Sequence, residues 1–309
     1  MGSCFAERVG GKLLDARLPI YLNPAGVVYN PLCIAACLSR LVEGRCYSES
    51  DLIEADGLWC SLDHHGAFSS PIRKRTLAEI NQAFKTGIEA LAKAKWLFLT
   101  FGTAYVYEHR GTGRPVANCH RLPADQFDRT LARSPRLVDA VTAAVTCVRS
   151  INPDIHLLLT VSPVRHLRDS APLNQLSKAQ LITACHDLCD ELDRCFYFPA
   201  YEIVLDELRD YRFFDRSLTH PNDVAVDIIW ERFQSAVLNE RARVFIEKYA
   251  PLLRDINHKH LHPDTPQARQ FDRDLTEKIR ALAEEFPEVT WSSREEPRGT
   301  RLRPGADPP

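Results

Sequence analysis

The residues with chemistry to offer stand at the front of the chain. It begins Met1-Gly2-Ser3-Cys4-Phe5-Ala6, a hydroxyl and a thiol just ahead of Phe5, Val9, Leu13 and Leu14 at helical spacing. A helix N-terminus is the positive end of the macrodipole. A thiol there is expected to have a lowered pKa and a larger thiolate fraction. Cys4 is thus a candidate nucleophile, against the plainer reading of a small buried hydrophobe. Ser3 is the alternative nucleophile, and is also read as an N-cap for the helix. A second polar group, Ser162-Pro163-Val164-Arg165-His166, follows an apolar run, and Arg165 would suit a substrate carboxylate or phosphate. A third, Ser217 to Asn222 with His220 at its centre, precedes a helix. No metal is expected. His120 beside Cys119 lacks a second pair at ligand spacing, and Cys185, His186 and Cys189 diverge, since adjacent helical positions point about 100° apart. Nothing in the sequence calls for a cofactor.

Strands and helices must place these groups. Helices are expected over 5–14, from Pro31 to about Leu41, over 77–93, over 137–150, over 177–192 with Ser177 as N-cap, and over 223–238. Lys178 then falls in a first turn at the surface. Asn23 to Gly26 reads as a turn, Asn30 as a turn residue, and His64 and His65 as loop histidines, with His65 near the rim. Apolar runs at 96–101, 155–161 and 196–199 read as buried strands. Strands alternating with helices predict an α/β fold with a parallel sheet, its site beyond the carboxyl ends of the strands. Gly102-Thr103, Ser162 to His166 and the His220 loop fall on that rim. Past residue 255 a polar linker leads to a stripe of Phe271, Leu275, Ile279, Leu282 and Phe286. The division expected is a domain over 1–250, a helical extension over 251–286, and a disordered tail over 287–309.

Composition narrows the class. The 309 residues are 45% hydrophobic with a net charge of -2, so neither a nucleic-acid partner nor a polybasic membrane surface is expected. No apolar run approaches the ~20 residues that span a bilayer. The start lacks a secretory pattern, and Ala6 spoils a myristoylation motif. Ten cysteines without a secretory signal read as reduced thiols, which predicts a cytoplasmic protein.

Longer stretches carry a resemblance. Gly2-Ser3-Cys4-Phe5-Ala6, Val27-Val28-Tyr29-Asn30-Pro31, His65-Gly66-Ala67-Phe68-Ser69, Thr100 to Tyr107, Val116 to His120, Ser162 to His166, Ser177-Lys178-Ala179, Phe198 to Glu202 and Asp206 to Phe213 resemble, in order, the motifs of the GSCFA-domain family. More remotely, the chain is similar to the SGNH (GDSL-like) hydrolases, and it points to bacteria.

That resemblance implies a three-layer α/β/α sandwich around a parallel sheet, and hydrolysis or transfer of an acyl ester or thioester. It implies Cys4, or Ser3, as nucleophile and His220 as base. Backbone N–H groups of Cys4 and Gly26 would hold the oxyanion. Gly102 and Thr103 replace part of a G-x-N block whose Asn is here Ala104, so Asn118 or His120 is the expected substitute donor. Ser162, Arg165 and His166 would contact substrate. Where an aspartate is expected three residues before His220 stands Ser217, which can orient an imidazole but steadies an imidazolium less well. Asp215 lies near at a different spacing. A strand should deliver Gly2 into the sheet, so a first strand cut short, with a true start upstream, is expected. The partner implied is a small-molecule or glycan ester. The alternative is a catalytically impaired module that binds an acylated glycan or metabolite.

Overall fold

The computed structural model describes residues 1–289 and 291. The chain divides into two compact units, one of residues 1–10 with 21–229, the other of residues 11–20 with those from 230 onward. Helices α1 (Cys4–Asp15) and, later, α7 contribute to both.

In the first unit α1 is followed by α2 (Pro31–Glu43), a hairpin of β1 (Ile53–Ala55) and β2 (Leu58–Cys60), α3 (Arg73–Lys93) and β3 (Trp96–Phe101). Next come β4 (Tyr105–His109), β5 (Arg114–Val116), β6 (Phe127–Leu131), α4 (Ser134–Ile151) and β7 (His156–Val161). Then follow α5 (Ala171–Glu191), β8 (Cys195–Tyr197), the short α6 (Ala200–Glu202), which runs on into one π-turn, and α7 (Asp223–Val237).

The central sheet is parallel in the order β3-β7-β8. Its apolar runs pair Leu97 with Leu157, Leu99 with Leu159 and Phe101 with Val161, all buried. Strands covered on both faces need such continuous hydrophobicity. With helices around this sheet, the fold is α/β and agrees with a three-layer sandwich. A second sheet, antiparallel in the order β5-β4-β6, fills a stretch to which the sequence pattern assigned nothing.

The sequence expectation of a truncated first strand meets a short extended segment. Gly2 bridges Thr100 in parallel, the Thr100 N–H donates to the Met1 carbonyl at 2.9 Å, and the Val28 N–H donates to the Gly2 carbonyl at 3.0 Å. Residues 1–3 therefore lie along β3 and deliver Cys4 to the carboxyl end of the sheet.

At two helix N-termini a residue's expected role changes. Asn30 is the N-cap of α2: its Oδ1 accepts the Leu32 N–H at 2.8 Å, and its Nδ2 donates to the carbonyls of Thr103 and Tyr105. Ser177 caps nothing, because α5 begins at Ala171, with Pro172 in its first turn.

The second unit contains α8 (Glu240–Asn257) and α9 (Pro266–Glu285), the latter capped by Thr265. Phe245, Tyr249, Leu252, Leu275, Leu282 and Phe286 form its core. The boundary expected at residue 250 falls inside α8. Of the tail expected over 287–309, residue 290 and those beyond 291 lie outside the described residues. Among the described residues no helix is long and apolar enough to cross a membrane.

Candidate active site

The site begins with a close backbone approach. Gly2 has φ +145°, and a Cβ there would sit 2.3 Å from the Thr100 carbonyl oxygen. The Gly2 N–H donates to Asn23 Oδ1 at 2.9 Å. Glycine at position 2 is what lets the chain lie against β3 and turn into α1.

Ser3 and Cys4 then part. Ser3 is 1% exposed, and its hydroxyl has no hydrogen-bond partner among the described residues. Its carbonyl, not its side chain, serves the helix, accepting the Ala6 N–H at 2.8 Å. Ser3 is thus neither the expected side-chain cap nor an accessible nucleophile. Cys4 is partly exposed, and the backbone N–H groups of Phe5 and of Cys4 itself act to favour its thiolate.

The thiol's acidity corrects the macrodipole expectation. Burial raises the Cys4 pKa above its ordinary value, while the two N–H groups and Lys178 pull it down and Glu7 pushes it up. Of the other thiols, Cys33, Cys37, Cys60, Cys185 and Cys195 are buried, while Cys46 and Cys147 are exposed. Cys33 and Cys37 are buried in α2, and burial pushes Cys33 to about 12.

The His220 loop is built around a carboxylate. Asp215 Oδ2 lies 3.6 Å from His220 Nδ1, and Thr219 Oγ1 lies 2.9 Å from the same nitrogen. Ser217, expected to orient the imidazole, instead donates to Asp215 Oδ1 at 2.6 Å and bonds Thr219. That hydroxyl, with the His220 charge and N–H, holds the Asp215 carboxyl below its usual range. The aspartate missed at one spacing is supplied two residues earlier, because the loop doubles back: the Asp215 N–H donates to the His220 carbonyl at 2.9 Å.

Two arginines fasten this loop. The Arg165 N–H donates to the Thr219 carbonyl at 2.9 Å, and its guanidinium stacks 4.0 Å over Phe214 while reaching the Leu218 carbonyl. The arginine is thus tied to the loop by backbone and side chain alike. Arg8 donates to the Pro221 carbonyl at 2.7 Å and pairs with Asp223. Positions 4 and 8 share a helix face, so this tie draws the His220 loop to the face of α1 that carries Cys4.

The other expected residues serve the frame. The Gly26 N–H is spent on the Asn23 carbonyl at 2.8 Å, which removes it as an oxyanion donor. At φ +74° its absent Cβ leaves room for His65, 2.5 Å from where that atom would stand. Gly102 and Thr103 both donate their N–H to the Tyr29 carbonyl. Ser177 Oγ takes the Ala104 N–H at 2.8 Å and bonds Thr103 Oγ1. The Asn118 N–H donates to the Leu62 carbonyl, and its Oδ1 takes the His120 N–H. His120 Nε2 donates to the Ser61 carbonyl at 2.7 Å. Burial lowers the His120 pKa, and a neutral ring has one N–H, here already used. His166 packs edge-on against Tyr29, 5.7 Å between centroids. Ser162 is buried, its Oγ accepting the Val164 N–H.

Lys178 is the largest departure from expectation. It lies in the middle of α5, 1% exposed, and its ammonium donates at 2.6 Å to the carbonyls of both Gly102 and Ser162. These oxygens sit just past the carboxyl ends of β3 and β7. The buried stripe Asn174, Lys178, Leu181, Cys185, Leu188 carried the signal, but starting the helix at Ser177 hid it. His64 lies in a loop, as expected, but is fully buried there, ringed by Tyr47, Phe68 and Phe84.

A parallel α/β sheet with a thiol at its carboxyl edge, on a helix N-terminus tied to a histidine–carboxylate loop, is the frame these residues build. The model of the GSCFA family matches residues 1–233, and that of the GSCFA domain protein, C-terminal domain, matches residues 250–296, so the chain belongs to the GSCFA family. No curated protein and no solved structure gives a match.

Proposed function

We propose that this protein is a hydrolase or acyltransferase that works on an acyl ester or thioester through an S-acyl intermediate on Cys4, as the SGNH-type resemblance implies. The observation that carries the reading is Cys4 itself. It is a partly exposed thiol on a helix N-terminus, with the Cys4 and Phe5 N–H groups favouring its thiolate and the His220–Asp215 loop tied to the same helix face.

In this reading His220 takes the thiol proton, and the thiolate attacks the carbonyl carbon, forming a C–S bond. The helix N-terminal N–H groups receive the oxyanion. The C–O bond to the leaving group breaks as His220 returns its proton to the departing oxygen. For a thioester the bond broken is C–S. Water, or an acceptor hydroxyl, then gives its proton to His220 and attacks the acyl carbon, and the thiolate leaves. Thr219 Oγ1, bonded to Nδ1, orients the imidazole, and the nearby Asp215 carboxylate steadies its charged form.

Burial of Cys4 favours a second reading, a module that binds an acylated glycan or metabolite without turnover. One experiment separates the two. The full chain is exposed to a p-nitrophenyl acyl ester, beside a His220→Ala variant, and examined by intact and peptide mass spectrometry. An acyl adduct on Cys4 that needs His220 is the expected result. No adduct, with p-nitrophenol released no faster than in buffer, would favour the binding module.

A further inference from the structure

A lysine is a costly way to join two strands. Its ammonium loses its water shell on burial, and a neutral amide could tie the same carbonyls without a charge. Lys178 nevertheless sits 1% exposed with two of its three N–H groups on the Gly102 and Ser162 oxygens. Burial lowers its pKa to about 7, and the charge opposing that drop is the Cys4 thiolate. The relation is mutual, because Lys178 in turn favours the thiolate.

Geometry explains the meeting. Gly2 bridges Thr100 at the end of β3, so Cys4 begins its helix on that edge of the sheet. Gly102, two residues beyond Thr100, is where the ammonium is anchored. The other charged and titratable groups acting there are Glu7, one turn along α1, which works against the thiolate, and Tyr29, whose phenol burial and Cys4 both push up. The Tyr201 ring lies 5.8 Å from the ammonium. Lys178 is therefore the positive group set against Cys4.

We infer that Lys178 is a positioning residue of this site: its amine, anchored between the ends of β3 and β7, is, when protonated, the counter-charge of the Cys4 thiolate and of the oxyanion formed when Cys4 is acylated. The second half of that statement rests on the function proposed above; the first does not.

The test reads Cys4 directly. Iodoacetamide alkylation of Cys4 is followed by peptide mass spectrometry across neutral and alkaline pH in the full chain and in Lys178→Met, with circular dichroism to verify folding. The variant is expected to alkylate more slowly near neutrality, by about threefold, as half a pKa unit would give, with its profile moved to higher pH. An unchanged profile in a folded variant overturns the inference. Should Lys178→Met not fold, Cys4→Ser reads the same coupling from the other side, since linkage is reciprocal. The lysine side-chain NMR titration of Lys178 should then move to lower pH than in the unaltered protein, and an unmoved titration overturns the inference. An alkylation shift without any acyl adduct would sink the proposed reaction and uphold the pairing. An adduct without the shift would do the reverse.

Discussion

Arg8 donates its guanidinium to the main-chain carbonyl of Pro221 at 2.7 Å, across 213 positions of sequence. It stands one helical turn beyond Cys4, so one side chain links the thiol's helix to the histidine's loop. The tie is a hydrogen bond to backbone, and a neighbour's substitution cannot easily remove its acceptor.

Arg8→Met should therefore loosen the His220 loop. The expected result is a fall of about a hundredfold in the rate of Cys4 acylation, the scale of a displacement near 1 Å at a reacting group. Stability should fall by less than about 1 kcal/mol, because the Asp223 partner is 93% exposed and such pairs contribute little. Adduct formation timed by mass spectrometry, beside a urea melt, checks both halves. A large loss of stability with an unchanged rate would mean that Arg8 supports the fold and not the site.

Asp215 and Ser217 exchange their expected importance. Asp215→Asn should slow acylation on the order of a hundredfold, since the imidazolium loses its carboxylate. Ser217→Ala should cost about tenfold or less, because it removes bonds to Asp215 and Thr219 but leaves the carboxylate in place. Equal effects from the two substitutions would return Ser217 to the role first expected of it.

Gly2→Ala tests the close approach to β3. The new Cβ would stand 2.3 Å from the Thr100 oxygen and 2.9 Å from its Cβ, at a φ that L side chains rarely adopt. The first residues should lift away and carry Cys4 with them. Cys4 acylation should fall by about a hundredfold while the circular dichroism spectrum is kept. An unaffected rate would show that Cys4 does not need the strand contact.

His64 gives a pH signature to the fold. Burial, then the charges of Arg40 and His120, lower its pKa from 6.5 to about 3. Its Nδ1 meets Ser61 Oγ at 3.0 Å, and its Nε2 has no partner among the described residues. Between those pH values the unfolded chain binds a proton that the folded chain refuses. This contribution to stability is thus whole above pH 6.5 and is lost as the pH falls towards 3. His64→Phe should flatten the slope of the urea midpoint over that window. An equal slope in both proteins would contradict the burial of a neutral imidazole.

Parts of this were legible along the chain. The runs 96–101 and 156–161 announced a parallel sheet, because strands covered on both faces cannot alternate polar with apolar residues. Pro31 marked the first position of α2 for a local reason, its fixed φ and missing N–H. Cys4 before a helical stripe needed only the helical period to be noticed. Other parts were open to be read and were not. Pro172 lies in the first turn of α5 as Pro31 does in that of α2, and counting from it would have put Lys178 on the buried stripe. The β4-β5-β6 sheet was missed because short antiparallel strands carry little pattern of their own.

The sequence by itself determined the main helices, the parallel core and the presence of a thiol at a helix start, since these depend on neighbours within a few turns of chain. Tertiary structure alone decided which groups meet that thiol. Burial, not the macrodipole, sets the net direction of the Cys4 pKa, and burial is a property of everything packed around a residue. Gly26 and His120 were removed as donors by partners on other segments, Asn23 and Ser61. Asp215 replaced Ser217 because a loop folded back on itself. Lys178 became the counter-charge of Cys4 because two strand ends, distant in sequence, present their carbonyls to one ammonium. Electrostatics acts through space, where distance along the chain carries no weight.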